Sequence, residues 1–309
     1  MLNSTGIRNL TRTEEFYLSL TLTERKAYIT ISSINILLSI TAFLGNALII
    51  AALPKASFIH SPSKLLLGCL ASTDLCVGLF AQPLYVNFLL SSKCFKQSFK
   101  HCYYSLLLFN FTCTIFCGVS LMTLTAISMD RLLAVLLGLR YRQVITLRRV
   151  WILEVTIWIF NIAIAVILHY IPLYGFGIFS VQAILCIIVS SSCYMKIYRT
   201  LHHHQAQVQH HVRQGQPNGG ETPLNIARYR WTVSSMIWVQ ISLVACYLPF
   251  GAVAGLLAIH RPLTQFTIDA TLTLILFNST LNPFLYCWKI QELKQAAKNA
   301  IRQLSCFSS

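Results

Sequence analysis

Acidic, basic and amide side chains interrupt several long apolar stretches of this sequence. Asp130 and Arg131 stand side by side in SMDRLLAV, directly after residues 102–129, which carry no charge. An ionisable or strongly polar group in such surroundings is costly unless it has a partner or a function. The interrupting residues are Asn46, Asp74, Ser120, Asp130, Arg131, Asn278, Ser279 and Asn282. They suit ion pairing and a buried polar network. Because the sequence shows no nucleophile–base pair, nucleotide-binding loop or zinc-spaced cysteine cluster, we do not expect an enzyme or a metal site.

The composition is that of a membrane protein. Of the 309 residues, 55% are hydrophobic and only 11% are charged, whereas soluble domains are about 25% charged. A net charge of +15 would suggest a nucleic-acid partner in a soluble chain. In a membrane protein the same excess arises because basic residues collect in cytoplasmic loops. We therefore expect no nucleic-acid partner.

Seven apolar runs reach the length of about 20 residues that a helix needs to cross a bilayer. The sequence therefore predicts an all-α membrane protein built as a bundle of seven transmembrane helices. PLYGF, Pro172 to Phe176, is interpreted as a tight turn between spans four and five. The predicted spans, which together make up a domain over 27–288, are residues 27–53, 63–90, 100–133, 149–171, 177–201, 229–259 and 266–288.

The distribution of basic residues predicts the orientation. With the N-terminus outside, sixteen of the 24 Lys and Arg residues fall on the inner side and eight on the outer side, as the positive-inside rule requires. Residues 1–26 would then be extracellular, with glycosylation acceptors at Asn3 and Asn9. This arrangement predicts a multi-pass protein of the plasma membrane.

The segment 289–309 is predicted to be a cytoplasmic tail. Its apolar residues recur every three or four positions with lysines between them, which is typical of an amphipathic helix lying on the inner membrane surface. This would be an eighth helix. Cys306 at its end is either a palmitoylation site or a free thiol.

In order and context, these residues resemble the rhodopsin-like (class A) G-protein-coupled receptors over almost the whole chain. The resemblance rests on Gly-Asn46, LAxxDL around Asp74, Asp130-Arg131, Trp158, Tyr194 in YMKIY, CYLPF at 246–250 and NPFLY at 282–286. It implies a cell-surface receptor that couples an extracellular ligand to heterotrimeric G proteins. Arrestin, receptor kinases and membrane lipids are further implied partners.

The resemblance also assigns roles to residues. Asp130 would hold Arg131 at rest, and outward movement of span six would free Arg131 to meet the G protein. The implied activation switch consists of Asp130, Arg131, Tyr194, Tyr247, Pro249, Asn282, Pro283 and Tyr286. The implied sodium pocket, which could equally be a water-filled polar network, consists of Asn46, Asp74, Ser120, Asn278 and Ser279.

The chain departs from the family pattern at several positions. Leu132 replaces the usual tyrosine after Asp-Arg, and Tyr247 replaces the usual tryptophan before Leu-Pro. Span five has no proline, and PLYGF has no cysteine, so Cys94 and Cys102 are left to pair with each other outside the cell. The short second outer loop is similar to that of the melanocortin–adenosine–cannabinoid branch.

Four positions are expected to mark the ligand pocket: Cys113, Tyr247, Ala254 and Leu276. Cys113 stands where amine receptors have an aspartate, Leu276 where opsins have a lysine, and Ala254 where adenosine receptors have an asparagine. The acidic cluster of melanocortin receptors is also missing. The basic outer residues Lys93, Lys96, Lys100, His101, His260 and Arg261 indicate either an anionic or lipid-like ligand or an ordinary solvated surface.

Two other functions are compatible with seven spans. A transporter or channel usually shows internal repeats or paired broken helices, and no repeat is visible here. A receptor-like protein that binds ligand but couples weakly is the other alternative, because Leu132 and Tyr247 alter the switch.

Overall fold

The computed structural model describes residues 4–56, 59–91, 99–170, 172–213, 223–258, 264–289 and 295. Within them it describes the side chains of 25–56, 59–91, 100–170, 177–203, 238–256, 264–285 and 295. Every regular element in this part of the chain is helical. The helices are α1 Ser4–Ala52, α2 Ser61–Cys76, α3 Gln82–Leu89, α4 Phe99–Leu137, α5 Tyr141–Val144, α6 Leu147–Tyr170, α7 Pro172–Arg213, α8 Pro223–Ala258 and α9 Gln265–Lys289.

The helices long and apolar enough to span a membrane match the predicted ones. Among the described residues six such stretches occur: Arg25–Lys55, Ser61–Leu89, Lys100–Val144, Leu147–Tyr170, Gly177–His203 and Trp238–Leu256. The seventh predicted span corresponds to α9, which has 25 residues but is less apolar because Asn278, Ser279 and Asn282 interrupt it. The all-α membrane class is confirmed. The predicted eighth helix lies outside the described residues, apart from residue 295.

Two helix boundaries differ from the sequence prediction. The helix of the first span begins at Ser4, well before residue 27. The predicted turn at PLYGF is wrong, because α6 ends at Tyr170 and α7 already begins at Pro172. Proline is favoured in the first turn of a helix, where no N–H is needed and its fixed φ suits the helix. Here the proline starts the fifth span instead of forming a loop.

Helix α4 is the centre of the bundle. It packs against α2, α3, α6, α7 and α9, while α1 packs against α2 and α9, and α8 packs between α7 and α9. The buried core contains Leu70, Leu121 and Leu243. The outer faces are also apolar: on α6, Ile159 is 64% exposed although Ile157 is 3% exposed. A helix that is apolar all round is typical of one packed on protein at one side and on lipid at the other.

A π-helical segment, Val77–Ala81, joins α2 to α3 and lies against α1. The Ser39 hydroxyl donates a hydrogen bond of 2.6 Å to the Gly78 carbonyl. A Cβ on Gly78 would lie 2.9 Å from both the backbone carbonyl oxygen of Ser39 and the backbone nitrogen of Phe43. Only glycine permits this close approach of two backbones, a common device where membrane helices pack.

Gly118 provides a second close approach, between α4 and α6. A Cβ at this position would lie 2.1 Å from Oδ1 of Asn161. That oxygen accepts a hydrogen bond of 3.0 Å from Nε2 of Gln182 on α7, and Asn161 donates to the Ile157 carbonyl at 2.8 Å. The missing side chain of Gly118 therefore makes room for an amide pair that joins three helices.

Gly118→Ala is expected to destabilise the bundle. Overpacking of a closed site costs about 1–3 kcal/mol, which outweighs the gain in helix propensity of about 1 kcal/mol from Gly to Ala. The melting temperature of the detergent-solubilised protein should fall. The control is Gly251→Ala, because a Cβ on Gly251 meets nothing within 4 Å. Equal melting temperatures for the two variants would show that Gly118 is not a packing requirement.

Candidate functional site

Asp74 is the centre of a polar network in the bundle. Its side chain is fully buried. Oδ1 accepts a hydrogen bond of 2.8 Å from the Ser120 hydroxyl, and Oδ2 accepts one of 2.7 Å from Nδ2 of Asn282. The hydroxyl of Ser279 also interacts with this carboxylate. One acidic side chain thus connects α2, α4 and α9.

Pro283 extends the network to α1. A proline has no N–H and therefore leaves the carbonyl four residues earlier without its helical partner; here that carbonyl belongs to Ser279. Nδ2 of Asn46 donates to it at 3.1 Å, and also to the Ala42 carbonyl at 2.8 Å. Gly45 allows the approach, because a Cβ there would lie 3.0 Å from the proline ring. The structure thus joins Asn46, predicted from sequence, to the same network.

Several polar atoms beside this network have no hydrogen-bond partner among the described residues. They are Nδ2 and Oδ1 of Asn278 and Oδ1 of Asn282, all buried. A buried amide without a partner costs about 1–3 kcal/mol. Together with the oxygens of Asp74 and Ser120, Oδ1 of Asn278 and Oδ1 of Asn282 supply carboxylate, hydroxyl and amide oxygens, which are the ligands that a hard cation prefers. The residues present therefore fit the sodium pocket that the resemblance implies.

A second cluster surrounds Asp130, near what we call the Arg131 end of the bundle. Oδ2 of Asp130 accepts a hydrogen bond of 2.9 Å from Ser63, and Oδ1 accepts one of 2.6 Å from the Tyr141 hydroxyl. Nε of Arg131 lies 3.7 Å from Oδ2. Asp130 is buried, whereas the Arg131 side chain is 27% exposed. The expected acid–base pair is present, but the close hydrogen bonds of Asp130 come from α2 and α5.

Ser63 and Tyr141 were not identified from the sequence. Ser63 lies in SPSK at the start of α2, and Tyr141 lies in LRYR after α4. Each is a polar residue next to basic residues at the end of a helix. Many solvated loops share this pattern, so it does not indicate a buried contact. The ring of His60 lies 5.5 Å from that of Tyr141, so the cluster is partly covered by a side chain preceding α2.

The remaining switch residues lie at different depths. Tyr194 is buried, and its hydroxyl accepts a hydrogen bond of 2.9 Å from Ser128. Leu132 packs against the pair formed by Tyr194 and Ile197, so it provides an apolar contact between α4 and α7. The Tyr286 side chain lies outside the described residues, although its backbone is in α9.

Tyr247 occupies the middle of the bundle, on α8. It is 1% exposed, and its hydroxyl donates a hydrogen bond of 3.4 Å to the Cys117 carbonyl. Pro249 lies two residues further along the same helix. The predicted switch is therefore distributed over the Asp130 cluster, the Asp74 network and this contact between α4 and α8.

A cavity of about 290 Å³ lies at the opposite end, which we call the Lys100 end. Of the predicted pocket residues, Cys113 lines it. Leu276 and Tyr247 are not in its wall but in the buried core, and Ala254 is half-buried on α8 outside the lining set. The lining residues are Tyr103, Leu106, Leu107, Phe109, Asn110, Phe111, Cys113, Thr114, Ala165, Leu168, His169, Phe179, Phe250, Leu272 and Ile275.

A buried tyrosine–aspartate contact lies beside the cavity. The Tyr85 hydroxyl on α3 donates to the Asp269 backbone carbonyl at 3.0 Å and to its Oδ1 at 3.2 Å. The Tyr85 ring stacks on Phe109, with centroids 4.6 Å apart. Asp269 stands near the start of α9 and is 1% exposed.

One further buried acid, Glu154, lies between α6 and α4. Oε2 of Glu154 on α6 accepts a hydrogen bond of 3.2 Å from Thr123 on α4, and the side chain is 2% exposed. Asn3, Cys94 and Cys306 lie outside the described residues, and so does the Asn9 side chain. The glycosylation, disulfide and palmitoylation assignments stay predictions.

Comparison with known proteins identifies similar sequences. Residues 45–174 and 169–286 match the family model described as the seven-transmembrane receptor (rhodopsin family). The chain is 23% identical over 296 residues to adenosine receptor A3 of Ovis aries. This alignment covers 86% of this chain and 88% of that receptor. It is 25% identical over 277 residues to melanocortin receptor 5 of Mus musculus (85% and 82%). It is 26% identical over 308 residues to the histamine H2 receptor of Cavia porcellus (90% and 80%).

Sodium is expected to stabilise the protein through Asp74. At a concentration ten times its Kd, a bound ion adds about 1.4 kcal/mol to the free energy of unfolding. Replacing KCl by NaCl should therefore raise the melting temperature of the wild type by a few degrees, about what that energy produces, and should leave Asp74→Asn unchanged. Glu154→Gln, which alters a buried acid outside the network, is the control and should keep the sodium response. A sodium response retained by Asp74→Asn would place the ion elsewhere.

Proposed function

Because the chain belongs to the rhodopsin family of seven-transmembrane receptors, we propose that a ligand in the cavity at the Lys100 end controls the Asp130 cluster at the Arg131 end. The protein is a multi-pass membrane receptor that couples an extracellular ligand to heterotrimeric G proteins. The transporter interpretation is dropped, since the match to the family covers most of the helix bundle. What remains to be assigned is which residues perform each step.

We propose that the Arg131 end faces the cytoplasm. Arg140, Arg142, Arg148 and Arg149 are all exposed there, and basic residues are retained on the cytoplasmic side of a membrane. The Lys100 end and the N-terminus would then lie outside the cell, and the C-terminus inside. The G protein, and in turn arrestin and receptor kinases, would approach the Arg131 end.

The observation that supports a resting state is the arrangement around Asp130. Ser63 and Tyr141 hold its carboxylate in place, and the carboxylate offsets the charge of Arg131 beside it. Breaking these contacts would free Arg131 to turn toward a G protein. A ligand shifts such an equilibrium only if it binds the two states with different affinities. The cavity must therefore change shape when the Asp130 cluster opens.

Sodium would favour the resting state. Asp74, Ser120, Asn278 and Ser279 would hold the ion, and the charge it supplies would offset the carboxylate. Because these residues come from α2, α4 and α9, an ion among them would oppose any movement that separates those helices. Proton transfer has no part in this proposal.

The cavity wall favours an apolar ligand. Twelve of its fifteen lining residues are hydrophobic, and the acids and amides that would bind an amine or a nucleoside at the matching family positions are replaced by Cys113 and Ala254. The similarity to adenosine, melanocortin and histamine receptors is therefore one of architecture. We propose that the ligand is a small apolar or lipid-like molecule.

Arg131→Ala is expected to abolish G-protein activation while the receptor still reaches the cell surface. The guanidinium is the group that would meet the G protein, and it is partly exposed, so its loss should not unfold the bundle. Signalling is measured in cells that express chimeric G proteins, and surface level is measured by antibody to an N-terminal tag. Arg142→Ala is the control, because Arg142 is an exposed neighbour outside the cluster.

This experiment also separates a coupled receptor from one that binds ligand and couples weakly. If basal and ligand-driven signals are equally low in wild type and Arg131→Ala, the weakly coupling alternative is correct. If Arg142→Ala loses as much signal as Arg131→Ala, the effect reflects loss of general positive charge.

Tyr141→Phe and Ser63→Ala are expected to raise ligand-free signalling. Each removes one hydrogen bond to a charged acceptor, worth about 1.5–3 kcal/mol, so the active population should rise by about tenfold or more if the contact exists only at rest. Basal G-protein activation per receptor is the measurement. Ser72→Ala is the control. Ser72 lies on the exposed face of α2, the helix that also carries Ser63, and its hydroxyl donates a hydrogen bond to the Gly68 carbonyl of that helix. Unchanged basal activity in both variants would mean that these bonds persist in the active state.

A further inference from the structure

The exposed residues of the cavity lining all lie on α4 or α6, which indicates that the cavity at the Lys100 end opens on the side of the bundle between these helices. These helices run antiparallel, and their register is set by Thr123 against Glu154 and by Gly118 against Asn161. Continuing that register toward the Lys100 end brings the last turn of α6, including His169, level with Asn110 of α4. Both residues line the cavity, and both are exposed.

The lining residues range from lipid-facing to fully buried. Phe111 is 38% exposed, whereas Phe109 is 1% exposed and Cys113 is 8% exposed. Leu107 and Leu168 are half-buried between them. Next to the opening, the outer surface is apolar: Leu108, Ile162 and Val166 are 51%, 43% and 41% exposed. An apolar surface of this kind is what a helix presents to lipid, so the opening leads into the bilayer.

Polar groups are concentrated near the opening. Asn110 and His169 offer hydrogen-bond donors there, and Tyr103 lies two turns further toward the Lys100 end of α4. The deep wall, formed by Phe109, Phe250 and Leu272 among others, is apolar. Lys100 and His101 are exposed less than a turn beyond Tyr103, which adds positive charge above the opening.

On the side formed by α3 and α9, two described residues hold the helices together beside the cavity. Tyr85 and Asp269 hydrogen bond between α3 and α9 and are both buried. Tyr85 also stacks on Phe109, which forms part of the deep wall. Entry from water along this side would require the hydrogen bonds to break, whereas the opening between α4 and α6 already exists.

We propose that the gap between α4 and α6 is a lateral portal through which a single-chain lipid amphiphile enters from the bilayer. Its apolar tail fills the cavity as far as Phe250 and Leu272, and its polar head, a hydrogen-bond acceptor such as a carboxylate, stays at Asn110 and His169. This proposal rests on the proposed function, since it names the ligand class and the route to the same cavity.

The test uses a long-chain fatty acid carrying a diazirine near its methyl end. The full-length receptor is reconstituted in phosphatidylcholine nanodiscs with this probe, irradiated, and the labelled residues are identified by mass spectrometry. We expect label on the deep wall, at Phe109, Cys113 and Phe250. Label confined to lipid-facing residues such as Ile159 would overturn the proposal.

Leu168→Trp and Leu107→Trp narrow the portal from its two sides. Each should lower labelling of the deep wall by about tenfold, the change that about 1.4 kcal/mol of lost binding produces. Ile159→Trp is the control, because Ile159 is 64% exposed on α6 and does not line the cavity. Unchanged labelling in either folded portal variant would also overturn the proposal.

Basal G-protein activation measured in the same nanodiscs separates the two proposals. Ile159→Trp lies outside both the cavity wall and the Asp130 cluster and should keep basal activity. If wild type signals more than Arg131→Ala but labelling is insensitive to the portal variants, the portal is wrong and the receptor function stands. If labelling follows the expected pattern but Arg131→Ala signals like wild type, the portal stands and the proposed switch is wrong.

Discussion

The bundle depends on giving its buried carboxylates partners on other helices. Moving an unpaired carboxylate out of water is so costly that it stays buried only where the protein supplies hydrogen bonds. Asp74 obtains them from Ser120 and Asn282, and Asn46 joins through the carbonyl that Pro283 leaves free. Four helices are thereby fixed in one register. Lipid provides no hydrophobic force between apolar helices, so such polar contacts and close packing determine which faces meet.

The same requirement has different consequences at the Arg131 end. Asp74 is enclosed by helices, whereas Asp130 completes its hydrogen bonds with Ser63 at a helix start and Tyr141 on a four-residue helix. Ser63 is buried, but Tyr141 is only half-buried, so water could replace the tyrosine hydroxyl more easily than it could reach Asp74. Under the proposed function, the Asp130 cluster stabilises only the resting conformation, whereas the deep network also holds four helices together. A two-state receptor needs both kinds of contact.

The sequence predicted the spans and the residues of the Asp74 network, because polar residues inside apolar runs are few and each needs a partner. It could not predict Ser63 and Tyr141, since polar residues near helix ends are ordinary. It also misjudged which residues line the cavity: Leu276 and Tyr247 are in the core. In membrane helices the protein-facing and lipid-facing sides are both apolar, so periodicity does not tell them apart. The prediction of a turn at PLYGF was wrong for a local reason, because proline can begin a helix as well as end one.

The cavity and the switch are connected through α8. Phe250 lines the cavity and packs edge-to-face against Phe179 of α7, with centroids 5.9 Å apart. Tyr247 lies one turn away and bonds to the Cys117 carbonyl of α4. Pro249, between them, removes the N–H that would bond the Ala245 carbonyl, so bending α8 there breaks no helical hydrogen bond. A ligand that displaces Phe250 would therefore move the two halves of α8 relative to each other at low cost. Under the proposed function, such a movement would have to break the hydrogen bond of Tyr247, and this bond would then contribute to the difference in ligand affinity between the two states.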